Sequence, residues 1–179
     1  LLMWASDAEE QAIIEELGAS GEVILDPAAP QLGVYLNNGS WSKFEWYLNI
    51  DFSMGEAVGN AEGSKTYLCN LRLTNVMTPE ELEASNANIT GFNPAKISED
   101  DMLEVFNLYA PAGGHIEVVS SNGQFVFADD KTYRGLQVVC GEAHVQIGAP
   151  AEITFNVTVS PEAAQELSVR IPPTVQDYR

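Results

Sequence analysis

Few residues in this chain are of the types that carry out covalent chemistry. It has two cysteines, Cys69 and Cys140, and two histidines, His115 and His144. Cys140 and His144 are close enough in sequence to be read as nucleophile and base. If one strand runs through both, four residues hold them ~13 Å apart, too far for a hydrogen bond or a shared metal, whereas a turn at Gly141-Glu142 would bring them closer. Zinc needs three or four convergent ligands, and neither Cys-x-x-Cys nor His-x-x-x-His spacing occurs. Asp100-Asp101 and Asp129-Asp130 lack the alternating spacing and the glycine of a calcium loop. There is no Walker loop, no Gly-x-Gly-x-x-Gly and no Gly-x-Ser-x-Gly elbow. The expectation is no catalytic residue, no metal and no cofactor. One alternative stays open, since any two of the 26 acidic side chains could converge as the carboxylate pair of a glycan-processing enzyme.

Aromatic side chains offer another chemistry, stacking against a sugar or packing against a partner. Phe44, Trp46, Leu48, Ile50, Phe52 and Met54 alternate with Glu45, Tyr47, Asn49, Asp51 and Ser53, which predicts one long strand with a dry face and a wetter one. That parity puts Phe44, Trp46 and Phe52 inside. Trp41 and Tyr47 fall on the other parity and are the candidate ligand-binding residues. Trp41, beside the turn Asn38-Gly39, would present its ring to solvent.

The cysteines are also the disulfide candidate. Both occupy core-parity positions, in Tyr67-Leu68-Cys69-Asn70-Leu71 and Leu136-Gln137-Val138-Val139-Cys140, where a bridge between sheets would start. Such a bridge would imply an oxidising compartment and be worth ~4 kcal/mol. The alternative is two buried free thiols.

The elements that must position these residues are mostly strands. Tyr67 to Leu73 and Ile153 to Val159 repeat the period of two, and Asn122-Gly123 and Asn38-Gly39 have the chemistry of hairpin turns. The glycine-rich stretch 55–64 links two strands expected to pair antiparallel. Helical signals are local. Ser6-Asp7-Ala8-Glu9 caps a helix over 7–17 with Ile13, Ile14 and Leu17 on its apolar side, and Thr78-Pro79-Glu80-Glu81 opens two turns to Ser85. Ser98-Glu99-Asp100-Asp101 caps a further helix with Met102, Phe106 and Tyr109 at helical spacing, although Leu103, Val105 and Asn107 also alternate as a strand would. The 179 residues are read as a single β-sandwich domain over 1–179, with an N-terminal helical extension over 1–20 and a helical insert over 78–109.

The net charge of −18 excludes nucleic acid and anionic lipid as partners, because both demand Lys or Arg, and no apolar run approaches the ~20 residues of a membrane span. Residues 1–42 carry seven acids and no base, and residues 78–109 carry seven acids and Lys96. The carboxylates thus sit on the helical segments, and the imbalance is mainly a shortage of bases. The chain begins Leu1-Leu2-Met3-Trp4, so removal of an upstream segment is expected and the lack of a signal peptide is uninformative.

Two segments resemble the small immunoglobulin-like domains of secreted proteins and lipoproteins of Gram-positive bacteria. Thr66-Tyr67-Leu68-Cys69-Asn70-Leu71-Arg72-Leu73-Thr74-Asn75 is similar to their strand ending in asparagine. Ala149 to Val157, followed by Leu167-Ser168-Val169-Arg170-Ile171, is similar to their closing strand pair. The antibody-type signature is absent, with no tryptophan between Cys69 and Cys140 and Val138 two residues before the second cysteine. The resemblance implies an antiparallel immunoglobulin-like sandwich, an extracytoplasmic location and no catalytic residues. The expected function is a secreted or cell-surface binding or structural module with a protein or glycan partner. The alternatives are a glycan-processing enzyme and a carbohydrate-binding module using Trp41.

Overall fold

Period-two alternation is the signal that the backbone follows most closely. A computed structural model describes residues 3–171, which leaves Leu1 and Leu2 outside the described residues. The strands, numbered along the chain, are β1 Gln31–Asn38, β2 Leu48–Met54, β3 Val58–Gly59, β4 Lys65–Asn75, β5 Met102–Tyr109, β6 His115–Ser121, β7 Phe125–Phe127, β8 Lys131–Tyr133, β9 Leu136–Val145, β10 Ala151–Thr158 and β11 Ser168–Arg170. One sheet has the order β11-β1-β5-β9-β7, with β8 also on β9; the other has β2-β4-β10-β6, with β3 also on β4. Pairing is antiparallel except between β1 and β11.

The two sheets share one apolar core, the layout of a β-sandwich. Val34, Phe106, Leu108, Val139 and Val145 from the first sheet belong to the same buried cluster as Ile50, Leu71, Ile153 and Phe155 from the second. Each such side chain contributes roughly 2 kcal/mol by leaving water. Among the described residues three short helices lie around the core, α1 Ala8–Glu16, α2 Pro79–Ala84 and α3 Ala87–Thr90. Asp7 caps α1 by accepting from Glu9 N–H and Glu10 N–H, and Thr78 and Glu81 close a full capping box on α2. Of the apolar positions expected on the first helix only Ile14 is buried, while Ile13 and Leu17 face solvent.

Several expectations are corrected. The run from Phe44 to Met54 is not one strand: Phe44–Tyr47 is a 3-10 turn, and β2 begins at Leu48. The chain must pass here from the first sheet, where β1 ends, to the second, where β2 lies. Parity breaks with it, so Trp46 is 61% exposed rather than buried. Asn122-Gly123 likewise joins strands of different sheets, β6 and β7, and closes no hairpin. The closing segments β10 and β11 are also divided between the sheets. The helix expected after Ser98 is instead β5, whose inner face is Met102, Glu104, Phe106 and Leu108, so the helical insert ends before residue 102. The expected pairing of β2 with β4 across the glycine-rich stretch holds.

The disulfide is overturned by the same parity rule. Cys69 points into the core from β4 and is fully buried. On β9 the inward residues are Val139, Ala143 and Val145, so Cys140 faces outward, its thiol donating to the Asp129 carbonyl at 3.7 Å. Both cysteines are free. Burial pushes the Cys69 thiol up to about 12, which keeps it protonated and unreactive in the native state. Without reductant, a thiol assay on the unfolded chain will count both cysteines; a count of zero would restore the bridge.

Candidate functional site

Among the described residues, two that are not glycine are held at positive φ, Trp41 and Arg134. For a bulky side chain this is an uncommon conformation that the surroundings must enforce. At Trp41, φ is 54°. The residue before it, Ser40, is buried and pinned to the start of β5, because Leu103 N–H donates to its Oγ at 2.7 Å. Gly39 N–H donates to the Leu103 carbonyl at 2.8 Å, and the Asn38 side chain closes the turn by donating to the Ser42 carbonyl at 2.8 Å.

The loop after α3 packs against this turn. Gly91, at φ 74° and ψ 175°, lies so close to Ser40 that a Cβ would overlap the Ser40 carbonyl oxygen. The Asn93 amide donates to the Gly39 carbonyl. Lys96 ties the loop to itself by donating to the carbonyls of Thr90 and Glu99, and its ammonium lies 4.9 Å from the Phe44 ring centroid. Burial lowers the Lys96 pKa despite the raising pull of Asp101, Glu99 and Asp100.

The two segments together hold Phe92 beside Trp41. The ring centroids are 6.1 Å apart with planes at 72°, and the residues are 65% and 63% exposed. The result is a solvent-facing corner, with one ring as floor and the other as wall. Such a corner can take a saccharide ring through its C–H face, or an apolar side chain, at little entropic cost because both rings are already positioned.

Tyr47 is part of the half-buried shell packed on the core, and its carbonyl accepts from Val76 N–H. Among the described residues no ring contact joins Tyr47 to Trp41, whose ring partner is Phe92. Phe92 carries no periodic signal; its one mark in the sequence is its place in the turn-rich stretch Gly91-Phe92-Asn93-Pro94.

Cys140 and His144 lie on one unbroken strand with no turn at Gly141-Glu142, so the ~13 Å separation stands. His144 Nδ1 meets Asp101 Oδ2 at 2.7 Å, and both residues are buried. The same carboxylate oxygen accepts from Ile97 N–H at 3.0 Å. The neighbouring Asp100 carboxylate accepts from Ile147 N–H at 3.1 Å. These contacts fasten the end of the insert onto β9 and the residues after it. Asn75, where the strand of the family resemblance ends, also fastens the insert: it donates to the Asp100 carbonyl and accepts from Met77 N–H.

Comparison of the chain with protein-family models, with curated proteins and with solved structures returns no match.

Proposed function

We propose that the chain is a non-catalytic immunoglobulin-like β-sandwich, secreted or held at a cell surface, that binds a glycan in the Trp41–Phe92 corner. The observation that carries this reading is a pair of large aromatic rings, both mostly exposed, one of them on strained backbone. Backbone strain of this kind clusters at functional sites. The immunoglobulin-like connectivity and the extracytoplasmic location rest on the resemblance of residues 66–75 and 149–171. A carboxylate-pair hydrolase fits less well. Glu104 and Glu45 are near enough for one charge to raise the other's pKa, but Glu104 is 1% exposed, where no glycosidic bond can reach it.

The test is a panel of immobilised glycans probed with the wild type, W41A and F92A. Truncating a central aromatic anchor costs about 2 kcal/mol, so each variant is expected to lose roughly thirtyfold in affinity for any glycan that the wild type retains, with little change in Tm. Retention of a glycan by W41A at wild-type strength would sink the proposal.

A further inference from the structure

Arg134 is the other strained residue, at φ 49°. It fills the first place of the two-residue turn Arg134-Gly135 between β8 and β9, where Asn, Asp or Gly fits without strain. Its turn stands at an open cavity of about 250 Å³ between Ser20, Gly21, the acidic Glu22 and Val23 on one side and the outer face of the first sheet on the other. The cavity walls are Tyr35, Tyr109 and Tyr133. Their rings meet edge to face, with centroids 5.3 Å apart for Tyr35 and Tyr109 and 5.8 Å for Tyr109 and Tyr133. Gly33 leaves room for them, since a Cβ there would stand 2.8 Å from the Tyr35 ring. Burial, followed by the neighbouring Tyr133 and Tyr35, raises the Tyr109 pKa, so its phenol stays neutral.

Two polar groups of this cavity lack partners. The Tyr35 hydroxyl is buried without a hydrogen bond. Among the described residues, the Arg134 guanidinium makes no ion pair or hydrogen bond, whereas Arg72 pairs with Glu152 and Arg170 donates to the Glu22 carbonyl. Arg134 is exposed, so its guanidinium is hydrated and open to a ligand at the cavity.

We infer that this cavity is a second binding site, one that takes a single sugar ring carrying a carboxylate. Tyrosine walls suit the C–H faces of a pyranose. The guanidinium fork matches a carboxylate in bidentate geometry, and Ser20, also at the cavity, offers a hydroxyl to the sugar. The volume is near the lower end of small-molecule sites, which suits one ring rather than a chain. A neutral sugar would leave the guanidinium unmatched, and a simple carboxylate would leave the aromatic walls uncovered. The cavity lies away from Trp41, which follows the far end of β1, so the inference stands independently of the Trp41–Phe92 reading.

The test is a titration of the isotopically labelled chain, followed by two-dimensional amide NMR, with methyl glucuronide, methyl glucoside and acetate in turn. Methyl glucuronide is expected to shift the amides of Tyr35, Tyr109 and Tyr133 saturably, and to bind at least about tenfold more tightly than either other probe. R134N, whose new side chain suits the turn better, is expected to keep or raise Tm and to abolish that preference, while W41A leaves it intact. Equal affinity for the three probes, shifts that do not saturate or fall elsewhere, or a preference that survives R134N would overturn the inference. Loss of the response in W41A would assign it to the aromatic corner and overturn it as well.

Discussion

Replacing Glu104 with glutamine is expected to leave stability almost unchanged in acid and to raise it by about 5 kcal/mol above pH 8, the largest single effect anticipated for this chain. Glu104 lies on the inner face of β5 between Met102 and Phe106, opposite Asn38 on β1 and Ala143 on β9. It is 1% exposed, and neither carboxylate oxygen has a hydrogen-bond partner. Burial first, and the charge of Glu45 second, push its carboxyl from the model-compound 4.5 up to about 8. The unfolded chain gives up this proton near pH 4.5, whereas the folded chain holds it to about pH 8. Between those values the folded state binds more protons, so stability falls as pH rises, by about 1.36 kcal/mol per unit. Below the window both states are protonated and the penalty vanishes; above it both are ionised and the penalty is constant. Glutamine has the shape of the neutral acid and does not titrate, so the difference between wild type and E104Q isolates Glu104 from the other carboxylates. Urea unfolding across this range checks it, and a difference independent of pH would contradict it.

The second large effect is expected at Gly91. Its φ of 74° with ψ of 175° lies in a region essentially reserved for glycine. In G91A the new methyl would overlap the Ser40 carbonyl and come within 2.8 Å of the Ser42 Cβ. Ser40 cannot retreat, because its hydroxyl accepts from Leu103 N–H at the start of β5. The substitution is expected to cost roughly 3 kcal/mol, or about 10 °C in Tm for a domain of this size, and to move Phe92 away from Trp41. G59A is the control, since a Cβ at Gly59 meets nothing within 4 Å. Equal Tm values for the two variants would show that the loop is not held as described.

What the sequence revealed follows from where one face alone is buried. β4 and β10 were legible because Tyr67, Cys69, Leu71 and Leu73, and Ile153, Phe155 and Val157, face the core while their neighbours face water. In β9 the strand was legible but its facing was not, because Val138, Val139 and Cys140 are buried on both faces, and apolar content then carries no parity. For the same reason the pattern makes Cys140 look inward when it faces out. β5 failed for a related reason: Met102 and Leu103 are both buried, and Met102, Phe106 and Tyr109 happen to share helical spacing. The period of two across Phe44 to Met54 is real in β2 but coincidental in the 3-10 turn, whose own repeat is three residues. Half of the aromatic corner was legible, since Trp41 adjoins a turn. Phe92 and the tyrosine cavity were not, because both arise from segments distant in sequence.

A binding surface at the Trp41–Phe92 corner must respond to its ligand at Trp41 itself. Its most direct measurement follows the indole N–H signals of Trp4, Trp41 and Trp46 by NMR while soluble bacterial cell-wall glycan is added. The Trp41 signal is expected to shift saturably, with no shift in F92A and with Trp4 and Trp46 unchanged. A Trp41 signal that stays still while other residues respond, or that shifts equally in F92A, would contradict it.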